Sequence, residues 1–197
     1  MKNSTYLYKL NSHQLLGVKY FYDMSQKIPR EEVQKGERIL KAAAKHMNPD
    51  LQITLCGSYR RGRAKSGDID CLITHPQLKT EEDLTNNGEF LKQFVTKLTD
   101  SGYLVDHLTL DSKKKYMGLA EIKGVSLCPR RIDIRLIAYQ SYAASLLYFT
   151  GSKNLNTMMR STALSLGYTL NEYGLFAKLI ILLTTLCGFF LRPRKAF

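Results

Sequence analysis

Three aspartates carry the strongest chemical signal in this sequence. Asp68 and Asp70 flank a single isoleucine, and Asp133 lies between Arg131 and Arg135. Because side chains alternate along a strand, Asp68 and Asp70 should project from one face. Neighbouring carboxylates repel each other, and a hard divalent cation such as Mg²⁺ relieves that repulsion. If a second strand brings Asp133 beside them, the three carboxylates could hold two ions roughly 3.5–4 Å apart, as in phosphoryl transfer.

A second motif, Gly57 to Gly62 (GSYRRG), precedes the aspartate pair. A strand followed by Gly-Ser and a short helix presents free backbone N–H groups to an anion. Ser58 can add a hydroxyl donor and Arg61 a planar charged fork suited to phosphate oxygens. Gly67 allows the backbone to approach a ligand closely just before Asp68.

Each short motif by itself is weak. An isolated D-x-D is usually a solvated strand end or turn, and an R-x-D-x-R strand is usually a surface ladder of ion pairs. Arg60 is interpreted as a solvated cation. The order G-S-x-R-R-G followed by G-D-x-D favours a phosphate-handling site over these simpler explanations.

The elements that must position these residues alternate between strands and helices. Alternating apolar residues predict strands, and residues with helical spacing predict helices. A helix should start near Pro29, where Glu31 and Glu32 favour the positive end of the helix dipole. The other predicted elements are strands at 51–56, 69–74, 116–122 and 131–137 and helices at 89–99 and 154–166. This pattern predicts an α+β or α/β layer design, with a mixed central sheet and flanking helices.

The composition is that of a globular protein with a strongly basic balance. Of 197 residues, 44% are hydrophobic and 23% are charged, so a core can be buried. There are 29 Lys and Arg against 17 Asp and Glu, a formal net charge of +12. That excess favours a polyanionic partner, nucleic acid or an anionic membrane, although a need for solubility would give the same charge.

The remaining composition argues against zinc and secretion. The four cysteines form no C-x-x-C pair and the four histidines are dispersed, so no structural zinc is expected. Residues 1–10 mix lysines with polar residues and do not resemble a secretory signal. A reducing compartment with free thiols is the expectation. The apolar run at 179–191 is 13 residues long, too short for the roughly 20 needed to span a bilayer.

Taken together, the motifs resemble those of family X DNA polymerases, most closely the beta and lambda branch. The resemblance runs from about residue 10 to residue 176 and implies a nucleotidyltransferase palm with partial helical subdomains. The matching segments, in chain order, are 13–14 (HQ), 19–21 (KYF), 28–32 (IPREE), 57–62 (GSYRRG), 67–70 (GDID), 130–133 (RRID), 148–152 (YFTGS) and 171–173 (NEY).

The resemblance implies a role for each matching position. Asp68, Asp70 and Asp133 would hold two Mg²⁺ ions, for which Mn²⁺ is a substitute, and Arg131 would orient Asp133. The residues implied to bind the incoming dNTP are Arg30, Ser58, Arg61, Gly67, Tyr148, Phe149, Gly151 and Asn156. Those implied to contact DNA are Lys115, Arg135, Lys153 and Arg160.

The resemblance also implies a domain plan. Residues 1–29 would be the remnant of a thumb-like DNA-binding subdomain and 30–139 the catalytic palm. Residues 140–176 would form part of a fingers-like nucleotide-selection subdomain, and 177–197 a divergent hydrophobic tail. Relative to the family, the chain is expected to be truncated at both ends, without the small lyase domain.

The leading hypothesis is therefore gap-filling DNA synthesis from gapped or primer–template DNA and a dNTP. The expected protein is a nuclear monomer with other repair proteins as partners and without a stable membrane span. Two alternatives stay open at this point. One is a catalytically weak fragment that binds DNA or dNTP, and the other is a nucleotidyltransferase that acts on a different acceptor.

Overall fold

The computed structural model describes residues 9–87, 89–109 and 113–177. The hydrophobic tail predicted at 177–197 lies outside the described residues from residue 178 onward, as do residues 1–8. No helix in the described part of the chain is both long enough and apolar enough to cross a membrane.

A five-stranded mixed sheet forms the centre of the fold. Its strands are β2 (Gln52–Leu55), β4 (Ile69–Thr74), β5 (Leu104–His107), β6 (Lys115–Ala120) and β7 (Arg130–Leu136). Their order across the sheet is β2-β4-β7-β6-β5. The central pair β4 and β7 is parallel, and the other neighbours are antiparallel. The predicted α+β design with a mixed central sheet is confirmed.

Eight α-helices, a short 3-10 turn at Tyr139–Ser141 and two small ribbons complete the described elements. The helices are α1 (Ser12–Lys19), α2 (Phe21–Ser25), α3 (Arg30–Met47), α4 (Gly57–Arg60), α5 (Glu81–Asn86), α6 (Glu89–Asp100), α7 (Tyr142–Thr150) and α8 (Lys153–Ser165). The ribbons pair β1 (Ile28–Pro29) with β3 (Lys65–Ser66) and β8 (Tyr168–Leu170) with β9 (Leu175–Ala177).

Helices α3 and α6 cover one face of the sheet. Their apolar stripes pack with alternate residues of the strands into one core, which includes Val33, Leu40, Phe94, Ile73 and Ile134. This burial is the main stabilising term for the sheet. The residues between those core positions on β4 and β7, including the aspartates, therefore face the opposite side.

A buried ion pair joins α3 to the start of β7. The Arg130 guanidinium donates to both carboxylate oxygens of Glu32, with Nε–Oε1 and Nη2–Oε2 distances of 2.8 and 3.0 Å. Both side chains are almost wholly buried. The sequence predicts that Glu32 acts through the helix dipole, whereas its carboxylate is in fact held inside the protein by Arg130.

Candidate active site

Asp70 and Asp133 lie directly opposite each other on the central strand pair. The parallel register of β4 and β7 pairs Asp70 with Asp133, and Ile69 with Ile132. Strands in a sheet are about 4.8 Å apart, so the two carboxylates project side by side from the face opposite the helix layer. Asp68 lies just before β4. The predicted neighbourhood of the three aspartates is thus formed by two adjacent strands.

The electrostatics of Asp70 reflect this crowding. Burial disfavours its charged form, and the negative charges of Asp68 and Asp133 act in the same direction, so its pKa rises from 3.8 to about 7. The positive charges of Arg131 and Arg135 oppose the shift without cancelling it. A carboxylate in this environment gains from any cation that binds beside it.

Arg131 supplies one such positive charge. Its Nη2 is 3.1 Å from Asp133 Oδ2 and 3.9 Å from Asp68 Oδ2. The hydrogen bond with Asp133 is the main reason that the pKa of Arg131 is raised. The other oxygen of Asp133, Oδ1, is buried and has no hydrogen-bond partner among the described residues. An orphaned carboxylate oxygen beside two further carboxylates fits the ligand preference of Mg²⁺.

The three carboxylates are not gathered into a single coordination group. Within residues 9–87, 89–109 and 113–177, no group of three or more His, Cys, Asp or Glu side chains is arranged to hold a metal ion. Asp70 Oδ2 points at Gly57 instead, and Asp133 Oδ2 accepts from Arg131. The donor chemistry fits a divalent ion, whereas binding one would require the side chains to turn toward each other.

The segment Gly57–Gly62, here named the phosphate cradle, lies beside Asp70. Gly57 has a φ of +55°. A Cβ at this position would collide with Asp70 Oδ2, so a larger residue would fit only if the Asp70 side chain turned away. The Cys56 N–H donates to the Asp70 carbonyl at 2.8 Å and fixes the cradle to β4. At Gly67, by contrast, an added Cβ would lie 3.3 Å from Lys27 Nζ and within 4 Å of no other atom in the part of the chain that the structure describes.

Two arginines predicted to bind nucleotide contact backbone carbonyls. Arg61 Nη1 donates to the Thr150 carbonyl at 2.6 Å, which joins the cradle to the end of α7. Arg30 Nη1 donates to the Tyr59 carbonyl at 2.7 Å. Ser58 is half-buried in the cradle.

The predicted sugar- and base-contacting segment follows α7. The Tyr148 and Phe149 rings meet edge to face, with centroids 5.0 Å apart. The Arg135 guanidinium lies 5.0 Å from the Phe149 ring centroid, which places this segment over the aspartate face of the sheet. Asn156 Nδ2 donates to the Tyr148 carbonyl at 2.7 Å. Gly151 links α7 to α8 with a φ of +66°.

The four predicted DNA-contacting residues fall into two groups. Lys115 and Arg135 are cross-strand partners on β6 and β7. Lys153 and Arg160 are exposed on α8. The first group lies on the aspartate face, and the second lies on the helix that carries Asn156.

Sequence reasoning missed two features of this site. The first is the Glu32–Arg130 ion pair, whose arginine immediately precedes Arg131. No sequence pattern distinguishes Glu32 from a solvated glutamate in the first turn of a helix. The contact between Gly57 and Asp70 was also missed, because Gly57 and Ser58 were interpreted as a strand end that presents backbone N–H groups to an anion, and the close approach was predicted at Gly67.

Two family profiles match this chain. The family profile of the DNA polymerase beta palm matches residues 27–139, and that of the DNA polymerase beta thumb matches residues 145–190. The thumb match includes most of the segment predicted as the nucleotide-selection part. It also continues beyond residue 176, where the motif resemblance ends.

Individual relatives show the same likeness. DNA polymerase lambda of Rattus norvegicus is 34% identical over 178 residues, which cover 88% of this chain and 30% of that protein. DNA polymerase lambda of Arabidopsis thaliana is 36% identical over 176 residues, covering 85% and 32%. The chain thus spans about a third of the length of these curated relatives.

A solved structure extends the comparison to three dimensions. The crystal structure of Leishmania infantum polymerase beta in a ternary P/T complex has a TM-score of 0.78 and 38% sequence identity. The match covers 85% of this chain and 64% of that one.

Proposed function

Because this chain belongs to the family X DNA polymerases, the family of DNA polymerases beta and lambda, we propose that it adds dNMP to a primer 3′-hydroxyl. The observation that carries the proposal is the register of β4 and β7. It pairs Asp70 with Asp133 beside the phosphate cradle. The similar Leishmania polymerase was crystallised as a ternary P/T complex, which supports primer–template DNA as a partner.

In the proposed reaction the primer 3′-oxygen attacks the α-phosphate of a dNTP, and pyrophosphate leaves. Asp68, Asp70 and Asp133 would hold two Mg²⁺ ions, or Mn²⁺ in their place. Such ions supply positive charge beside the attacking and leaving oxygens. The orphaned Asp133 Oδ1 and the raised pKa of Asp70 support this assignment.

The protein groups act by positioning and charge, the usual source of rate in phosphoryl transfer. In this proposal Ser58 and Arg61 bind the triphosphate, and Arg131 holds Asp133 in orientation. Tyr148, Phe149 and Asn156 border the nucleotide, while Lys153 and Arg160 contact DNA. Gap-filling repair in the nucleus is the proposed setting.

The test is single-nucleotide extension on gapped DNA with Mg²⁺. Asp133→Ala removes a proposed metal ligand and should lower the rate by at least about 100-fold, the scale of losing one preorganised electrostatic contribution to a transition state. Asp100→Ala, which removes an exposed aspartate at the end of α6, serves as the control. An active chain that keeps its rate after Asp133→Ala would disprove the site assignment.

A catalytically weak chain that binds DNA or dNTP is the second candidate, because within the described part of the chain the three carboxylates are not gathered into one coordination group. Salt-dependent DNA binding without extension in either Mg²⁺ or Mn²⁺ would identify it. Incorporation of dNTPs and rNTPs onto several acceptors, measured side by side, distinguishes a third possibility, a nucleotidyltransferase that uses another acceptor.

A further inference from the structure

The phosphate cradle contains a helix too short to hold its own shape. Helix α4 spans four residues, Gly57–Arg60. A single helical turn is unstable by itself, because one hydrogen bond does not offset the conformational entropy lost in fixing several residues. Contacts with other elements must therefore hold the cradle in place.

Tyr59 provides such contacts with α3. Its hydroxyl donates to Glu37 Oε2 at 2.8 Å. The Arg30 guanidinium lies 4.3 Å from the centroid of its ring, and Arg30 Nη1 donates to its backbone carbonyl. Helix α3 is 18 residues long and packs on the sheet, so it is a rigid support.

The acceptor in this link is a charged one. Burial raises the pKa of Glu37, but hydrogen bonds from Lys41 and Tyr59 outweigh burial and lower it overall. Burial, followed by the bond to Glu37, raises the pKa of the Tyr59 hydroxyl, which therefore stays a donor. A bond from a neutral hydroxyl to a carboxylate is stronger than one between neutral groups.

We propose that Tyr59 and Glu37 are positioning residues for triphosphate binding, an inference that rests on the proposed function. Their hydrogen bond fixes one side of the cradle to α3, and the contact of Arg61 with Thr150 fixes the other side to α7. Ser58 and Arg61 flank Tyr59 in the chain. Loss of the Tyr59 anchor therefore lets both triphosphate-binding groups move.

A simpler role for Tyr59 is packing alone, because its ring also lies against the hydrophobic core. The two roles predict different behaviour for Tyr59→Phe, which keeps the ring and removes the hydroxyl. Packing alone predicts no change. Positioning predicts faster amide hydrogen exchange at residues 57–62 together with weaker dNTP binding.

The experiment uses the full chain with Tyr59→Phe, Glu37→Ala and the double variant. The measurements are amide hydrogen exchange without ligand and binding of dATP with Mg²⁺ to the complex with gapped DNA. Each single variant should weaken dATP binding by about 3- to 10-fold, the size of one hydrogen bond. The double variant should weaken dATP binding by no more than a single variant, because both substitutions remove the same bond. DNA affinity should not change.

Tyr116→Phe is the matched control. It removes a hydroxyl that bonds to His107 Nδ1 at 2.8 Å, away from the cradle. Unchanged exchange in Tyr59→Phe overturns the proposal, and so does faster exchange with unchanged dATP binding. If the wild-type chain binds no dATP, the proposed polymerase function is overturned. Hydrogen exchange at residues 57–62 then still shows whether the bond between Tyr59 and Glu37 holds the cradle in place.

Discussion

Glu32 and Arg130 form a bidentate ion pair inside the protein, although they lie 98 positions apart in the chain. The pair joins the first turn of α3 to the first residue of β7. Arg131 is the next residue, and it holds Asp133. The geometry of the aspartate face therefore depends on a contact made on the opposite, helix-covered side of the sheet.

Removing one partner of this pair should be costly. Glu32→Ala removes the bidentate carboxylate partner of the buried Arg130 guanidinium, so the free energy of unfolding should fall by about 3–5 kcal/mol. Urea denaturation measures it. Glu89→Ala is the control, because the Glu89–Lys92 pair is exposed and should contribute little. A small effect of Glu32→Ala would mean that water reaches Arg130.

Asp70 should destabilise the metal-free chain at high pH. Its folded-state pKa of about 7 lies above its ordinary value of 3.8, so folding favours the protonated form. That stability is fully present below about pH 4 and is lost as the pH rises through 7. Asp70→Asn cannot ionise, and it should raise the free energy of unfolding at pH 8 by roughly 2–4 kcal/mol.

The check is urea denaturation in EDTA between pH 4 and pH 8. The advantage of Asp70→Asn should shrink toward zero at the acid end of that range. Asp100→Asn, at an exposed position on α6, should show no such pH dependence. If the difference in unfolding free energy between Asp70→Asn and the wild type stays constant with pH, ionisation of Asp70 beside Asp68 and Asp133 is not its cause.

Two glycines of the cradle allow a matched comparison. Gly57 and Gly62 both have positive φ, +55° and +79°. A Cβ at Gly62 would meet no atom of the described residues within 4 Å, so Gly62→Ala should cost only the backbone strain of about 1–2 kcal/mol. Gly57→Ala adds a collision with the Asp70 carboxylate and should cost at least about 1 kcal/mol more.

Both unfolding and extension should be measured for these variants. Gly57→Ala should also reduce single-nucleotide extension, since the displaced group is a proposed metal ligand. Equal costs for the two substitutions would show that Asp70 turns away from Gly57 without penalty.

Most strands of the sheet could be predicted because the pattern of apolar residues that defines a strand lies within a few consecutive residues. The strand predicted at Ile69–Thr74, ended by His75 and Pro76, has the observed bounds of β4, and the strand predicted at 131–137 lies within one residue of β7. The strand predicted at 116–122 was too long, because Glu121 and Ile122 lie past the end of β6. The pairing of Asp70 with Asp133 depended on the assumption that two distant strands are neighbours.

The contacts that support the site could not be predicted in this way. Glu32, Glu37 and Tyr59 act through partners on other elements, and single-sequence patterns carry no information about such long-range contacts. Glu37 looks like an ordinary helix glutamate paired with Lys41 four residues on, and that pair does form. Its second partner, Tyr59, is visible only once α3 and α4 are placed together.

The exposed cations of α8 should contribute to DNA binding through counterion release. If Arg160 contacts a phosphate, Arg160→Ala should weaken DNA binding and reduce the slope of log K against log salt by about 1. Lys92→Ala is the control, because α6 covers the opposite face of the sheet. Binding to gapped DNA should be measured by anisotropy at several salt concentrations. Equal slopes for the wild type and Arg160→Ala would show that Arg160 makes no contact with a DNA phosphate.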